Sequence, residues 1–202
     1  MTAKIKLNSA SGGGSFSLQA PSSSSNNRVM TLPDTADGTI LTTTNPKTGN
    51  IIQVLEDARI DASSHSVASG ATFEPTFLRQ SITTTGSNKV LVEGFITIGM
   101  TGAGNAIMLG LRRDGSNTGH GVASGNKRTC TTSSFSKDSY NTASIPFSFL
   151  DNPSAGTHEY HLQISHSSGG TQTMYINRTP DDTNTNLYPR AISVIRCKEV
   201  AV

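Results

Sequence analysis

The chain has 202 residues, of which 15% are charged and 34% hydrophobic, and its 27 serines and 26 threonines make up about a quarter of the total. Ala, Leu, Glu, Lys and Gln lose least on entering a helix and are scarce here, whereas Ser, Thr, Asn and Gly suit strands and turns, so an almost purely β protein is expected. A net charge of +2 with both signs interspersed offers no field for nucleic acid or an anionic membrane, and no window approaches the ~18 consecutive apolar residues of a membrane span.

Residues 1–50 read as an extended amino-terminal stalk or attachment segment of very short strand-like pieces. These are Lys4 to Leu7, Ser15 to Leu18, Val29 to Leu32 and Thr39 to Leu41, each bounded by Gly, Ser, Pro or Asp. Lys4 and Lys6 are followed by no apolar stretch, so no secretion signal is expected. The runs Ser9 to Ser15 and Pro21 to Asn27 are flexible by composition, with Gly12-Gly13-Gly14 as a hinge. A solvated tail has no reason to keep period-2 alternation at Ile5/Leu7 and Phe16/Leu18, and four-residue strands are marginal without a partner sheet. Ile5, Leu7, Phe16, Leu18, Val29, Leu32 and Ile40 are therefore expected to pack against copies of the same chain or a larger assembly.

Residues 51–202 read as one domain with turn signals every 8 to 15 residues and about eight strands. Ile51 to Ala58 fits either period and is read as strand. Phe77 to Ile82 follows, then Val90 to Ile98, with Val90, Val92, Gly94, Ile96 and Ile98 on one face. Ile107 to Leu111 leads into a tight turn at Arg113-Asp114-Gly115-Ser116. Ser144 to Leu150, Glu159 to Ser165, Thr171 to Arg178 and Ala191 to Val200 complete the set. Short strands with one apolar face each pack most economically as two facing antiparallel sheets, a β-sandwich or jelly roll.

Several constellations suggest chemistry and fail on spacing. His158-Glu159-Tyr160-His161 lacks the i, i+4 helical pair of a zinc site and lies in a strand, where surface or turn histidines are expected. His158, Tyr160, Leu162, Ile164 and His166 would share a face, which leaves a metal at an oligomer axis conceivable. Asp182, Asn184 and Asn186 open like a calcium loop, but Leu187 and Ser193 occupy the positions of its Gly and Glu. No G-x-S-x-G elbow is present, no pair of carboxylates stands out for glycosidase chemistry, and Cys130 in Arg128-Thr129-Cys130 has no His partner, although nearby cations could lower its pKa. Cys130 and Cys197 are expected as free, buried thiols. Asn177-Arg178-Thr179 matches the glycosylation pattern and is expected to go unused. Neither catalysis, nor a cofactor, nor a resident metal is anticipated.

The order of Ile5-Lys6-Leu7, Ser15-Phe16-Ser17-Leu18-Gln19-Ala20-Pro21, Thr31-Leu32-Pro33-Asp34 and Gly38-Thr39-Ile40-Leu41 resembles the amino-terminal module of tail-fibre-like virion proteins in phages of marine bacteria and cyanobacteria. The later Gln80-Ser81-Ile82-Thr83, Leu111-Arg112-Arg113-Asp114-Gly115, Phe149-Leu150-Asp151-Asn152-Pro153, Tyr175-Ile176-Asn177-Arg178 and Ala191-Ile192-Ser193-Val194-Ile195 are similar to the globular head that follows it. The resemblance implies a jelly-roll head, a homotrimer with three amino-terminal segments wound together, and a non-catalytic virion component with other tail or capsid proteins as partners. No anchor is expected ahead of Lys4, so a capsid decoration (cement) protein stands beside a fibre or spike, and a polysaccharide-degrading spike is a more distant third. Adhesion to a host-surface glycan or protein would fall to the loops Gly115 to Arg128, with Asn117, His120, Asn126 and Arg128, and Pro180 to Pro189, with Asp182, Asn184 and Asn186.

Overall fold

Period-2 alternation near the start of the chain becomes a hairpin. The computed structural model describes residues 4–19, 22–27, 29, 46–75 and 78–202, and it divides into two compact units, residues 1–40 and 41–202. In the first, β1 (Lys4–Asn8) and β2 (Ser15–Gln19) pair antiparallel with Ile5 opposite Leu18 and Leu7 opposite Phe16. These four side chains share one face, and that face is open, with exposures of 64%, 58%, 48% and 36% for Ile5, Leu7, Phe16 and Leu18. The pieces thus find their first partner within their own chain. The expected hinge is instead the hairpin turn: the Ser9 N–H donates to the Gly14 carbonyl at 2.9 Å, and Gly12 and Gly13 take left-handed φ values of 85° and 70°, which cost glycine nothing. Val29 is exposed, while Leu32 and Ile40 lie outside the described residues.

Among its described residues the second unit contains eleven strands and no helix. They are β3 (Ile51–Arg59), β4 (Ser63–Val67), β5 (Arg79–Thr84), β6 (Lys89–Met100), β7 (Ala106–Arg113), β8 (Ser116–Thr118), β9 (Thr132–Phe135), β10 (Ala143–Asp151), β11 (Gly156–His166), β12 (Gln172–Ile176) and β13 (Ser193–Val200). Ile51–Arg59 resolves the ambiguous segment as strand, because pairing with β13 supplies the sheet that its alternation needs. The three strands the sequence does not announce, β4, β8 and β9, are short and rich in Ser, Thr and Asn, so no apolar rhythm marks them.

One sheet runs β3-β13-β6-β10, with β12 and then β4 continuing along the same edge of β6 beyond β13. The other runs β5-β11-β7-β9, with β8 beside β9 on the outer edge of β7. Omitting β4, β8 and β12, the remaining eight strands lie in the orders first-eighth-third-sixth and second-seventh-fourth-fifth, and successive strands change sheet except between β7 and β9, which is the connectivity of an eight-stranded jelly roll. The inward face of β6, Val90, Val92, Ile96 and Ile98, is buried as its alternation predicts, and packs in one core with Leu109, Leu111, Ile145, Leu162, Ile164 and Cys197.

The long edge of β6 is shared by two strands, and the gap between them is closed by Asn177. This residue is fully buried and sits at φ 60°. Its N–H donates to the Thr97 carbonyl (2.9 Å), and its carbonyl accepts from the Ala191 N–H (3.0 Å). Its side-chain amide donates to the carbonyls of Arg59 (2.9 Å) and Asp61 (3.0 Å), and Oδ1 accepts from Ser193 Oγ at 2.6 Å. Ser193 Oγ in turn accepts from the Thr97 N–H at 3.0 Å. The Asn177-Arg178-Thr179 triplet therefore offers no accessible amide for a glycan. Replacing Asn177 by Ala should remove about 3 kcal/mol or more of stability, since it strands buried carbonyls and places a Cβ-bearing residue without a compensating side chain at positive φ. A urea unfolding curve within ~1 kcal/mol of wild type would contradict this role.

Candidate functional site

Asn177 also turns the chain out of the sheet into the loop between β12 and β13. The neck of that loop is a β-bridge between Arg178 and Arg190. Asp182 lies between the two guanidiniums, 2.7 Å from Arg190 and 3.5 Å from Arg178. Arg178 also lies over the Tyr175 ring at 4.3 Å. Inside the loop Asp181 Oδ1 accepts from the Thr183 N–H (3.1 Å) and hydroxyl (2.7 Å), and the Thr179 hydroxyl donates to the Asp181 carbonyl.

A second turn joins it. The Asp181 N–H donates to the Ser139 carbonyl at 3.0 Å, and Asp138 fixes that turn by accepting from the Tyr140 N–H and the Asn141 amide, both at 2.8 Å. The Tyr140 and Tyr188 rings then lie 5.9 Å apart between centroids and 14° from parallel. Asn184 and Asn186, singled out by sequence, are exposed on the same loop, and neither side chain makes a hydrogen bond among the described residues. The tyrosines escape sequence reading because 48 positions separate them and neither stands in a motif.

The other candidate loop lies elsewhere. The Arg113-Asp114-Gly115-Ser116 turn is a tight hairpin with φ 50° at Asp114 and 77° at Gly115, and Asn117 is exposed on β8 opposite Arg112. It lines a shallow cleft of about 140 Å³ with Arg113, Asp114, Ser116 and Thr118. Arg113 is bonded to Asp151, which pairs with Val90 at the start of β6, whereas Asn177 is bonded to Thr97 near its far end. At ~3.3 Å per residue these two ends of the head are more than 20 Å apart, so Asn117 and the Asp182–Asn186 loop do not form one site. His120 is half-buried, its ring over Gly110 where a Cβ would come within 2.8 Å, and its Nε2 is 3.1 Å from the Leu111 carbonyl. Arg128 donates Nη1 to the His166 carbonyl at 2.7 Å. Asn126 is exposed in the Ser124–Lys127 turn.

The histidines of β11 correct the expectation of surface positions. His158, His161 and His166 are all buried. His158 and His166 share the inward face with Tyr160, Leu162 and Ile164, so that face is core and cannot line an oligomer axis. His166 Nε2 stands 2.9 Å from the Val67 carbonyl. Tyr160 donates its hydroxyl to Asp151 at 2.7 Å, and burial with that carboxylate pushes its pKa far up. His158 sits between Asp114 Oδ2 (Nδ1, 2.7 Å) and the Ser154 carbonyl (Nε2, 3.0 Å). The Asp114 bond raises the His158 pKa above its usual value. Burial alone would raise Asp114, but the bonds from His158 and the Glu159 N–H hold it below the carboxylate range.

His161, on the opposite face, lies 3.5 Å from Glu74 and 3.4 Å from Glu159, and neither ring nitrogen completes a hydrogen bond. Burial and the neighbouring Arg79 lower its pKa. Arg79 bonds Glu159 at 2.6 Å, and Arg112 bonds Glu74. Both cysteines are free, but only Cys197 is buried, its thiol pushed up to about 12 by burial. Cys130 is half-buried, and burial raises its pKa rather than nearby cations lowering it. Among the described residues no three His, Cys, Asp or Glu side chains are grouped to hold a metal ion.

No family model and no curated protein matches the chain. Among solved structures it is similar to chains of infectious bursal disease virus. With the Gt strain the TM-score is 0.45 at 14% identity over 94% of this chain and 48% of that one. With the Gx strain it is 0.43 at 14% identity over 94% and 44%. The chain thus spans about half the length of those it matches.

The two perturbed histidines have opposite signs. A raised folded-state pKa means that His158 stabilises the fold at pH below its unfolded value of ~6.5, and that this contribution is lost as pH climbs through the higher folded value. His161 has a lowered pKa, so the unfolded chain binds the proton more tightly and stability falls as pH drops below ~6.5. In urea titrations between pH 5 and 8.5, His158→Gln should lose most relative to wild type at the acid end. His161→Gln should be least costly, relative to wild type, at that same end.

Proposed function

We propose that this chain is a non-enzymatic structural component of a tailed-phage virion, a homotrimeric fibre or spike whose head contributes to host-surface adhesion and which needs no cofactor. The observation that carries the reading is the β1–β2 hairpin. Four large apolar side chains, Ile5, Leu7, Phe16 and Leu18, line one face of a two-stranded sheet, all of them open to solvent. A two-stranded hairpin is marginal in water on its own, and a second layer packed on its apolar face is the usual remedy. Copies of the same hairpin supply that layer without any other component, which agrees with the trimer implied by the sequence resemblance.

The head supports the adhesive half of the reading. Its inward polar groups, Asn177, Asp151 with Tyr160, and His158 with Asp114, are spent on one another, while the unengaged polar side chains project from loops. Jelly rolls also serve as viral capsid and lectin domains, an analogy at the level of fold. The same hairpin could instead lie on a capsid shell as the clamp of a decoration protein.

Light scattering on the full chain should give about three times its 21.2 kDa mass, and a single-chain mass in dilute buffer would contradict the trimer. Phe16→Asp and Leu18→Asp place a charge in the apolar seam and should release single chains with the head's thermal unfolding unchanged. Gold-labelled antibody on intact particles distinguishes the locations: label on the tail supports the fibre, and label confined to the icosahedral shell overturns it in favour of decoration.

A further inference from the structure

We infer that the paired turns carrying Tyr140 and Tyr188 form a saccharide-binding site for an uncharged glycan, with the two rings as its platform and Asn184, Asn186 and Arg190 as its polar rim. The inference rests on the adhesive reading above and says where on the head that adhesion occurs. A sugar ring offers an apolar C–H face and a girdle of hydroxyls. It is therefore held best by an exposed aromatic face flanked by planar side chains that can both donate and accept. Tyrosine suits the first task, because its rigid ring gives contact area at little entropic cost and its hydroxyl stays wet, and asparagine suits the second.

Each requirement is met within this one region. Tyr140 is 59% exposed and its ring is near-parallel to that of Tyr188. The amides of Asn184 and Asn186 are exposed and without a side-chain hydrogen bond among the described residues. The backbone beneath is already fixed: Asp138 holds the Tyr140 turn, Asp181 holds Thr183, Asp182 sits between Arg178 and Arg190, and the Asp181 N–H ties the two turns together. A site ordered before its ligand arrives pays little for ordering on binding. Charge selects the class of glycan. Asp138, Asp181 and Asp182, three carboxylates, are balanced by Lys137, Arg178 and Arg190, three cations, and Asp182 is ion-paired with both arginines, so no net charge remains to attract a polyanionic sugar. The cleft beside Asn117 has no aromatic side chain in its lining and is the natural control.

The full chain labelled in its tyrosine rings would be titrated by NMR with oligosaccharides of dextran, mannan and galactan, all neutral, and of alginate, which is acidic. The expected result is saturable shifts at Tyr140 and Tyr188 with at least one neutral probe, none at buried Tyr160, and weak or no response to alginate. Tyr140→Ala and Tyr188→Ala should each weaken binding roughly tenfold. Tyr140→Phe should retain it, and Asn117→Ala should leave it unchanged. Shifts centred on residues 115–128, a preference for alginate, or no response to any neutral probe would overturn the site. Labelled protein is also applied to cells that the particle infects. Wild type and the Tyr140→Ala/Tyr188→Ala double variant binding equally overturns the site and leaves adhesion standing. Wild type failing to bind cells overturns adhesion, while saccharide shifts at the two tyrosines would still uphold the site.

Discussion

Everything in the head depends on how one twelve-residue strand is shared. β6 is longer than any strand available to flank it, so β13 and β12 divide one of its edges, and their meeting point exposes backbone groups that neither ladder can satisfy. Asn177 resolves this with a single side chain that bonds to the end of β3 and the beginning of β13 while its backbone bonds to β6. Asparagine is suited to the task because its short amide supplies two donors and an acceptor and because it tolerates left-handed backbone. The same turn launches the loop that carries Asp182, Asn184 and Asn186, so the buried network and the presentation of surface groups are consequences of one conformation.

Much of this architecture is legible in the sequence because burial on one face writes itself as alternation. Val90 to Ile98 and Ser144 to Leu150 are examples: both are strands, and Val90, Val92, Ile96 and Ile98 face the core as anticipated. What fails to show is structure held by hydrogen bonds rather than by apolar contacts. β4 is Ser63-Ser64-His65-Ser66-Val67, whose only large aliphatic side chain is at its end, and it is recruited by the register of β12. The amino-terminal pieces are legible as strands, but their pairing with one another is not, since composition alone presents Gly12 to Gly14 as a flexible joint rather than a turn.

The candidate surface is legible in part for a similar reason. Loops can be located between strands, so Asn184 and Asn186 fall where an exposed recognition group would. Which loops meet is a property of the fold: Tyr140 and Tyr188 converge only because the Asp181 N–H reaches the Ser139 carbonyl. Local composition also misjudges polar residues that the core absorbs. His158 and His161 read as surface groups, yet one is clasped by Asp114 and the other is enclosed by Glu74, Glu159, Arg79 and Arg112. Arg128 is rich in donors, and one of them is committed to the backbone of β11.

The pairing of β3 with β13 sets the order of events in synthesis. Residues 51–59 have their ladder partner in residues 193–200, so the head's earliest strand must wait, unpaired at its sheet edge, until β13 has been made. Contacts so distant along the chain make folding slow. A polypeptide that stops short of residue 193 leaves β3 and most of one edge of β6 without the strand that joins them. The sheet is thereby complete only in molecules that contain residues 193–200, a form of proofreading that requires no dedicated checkpoint.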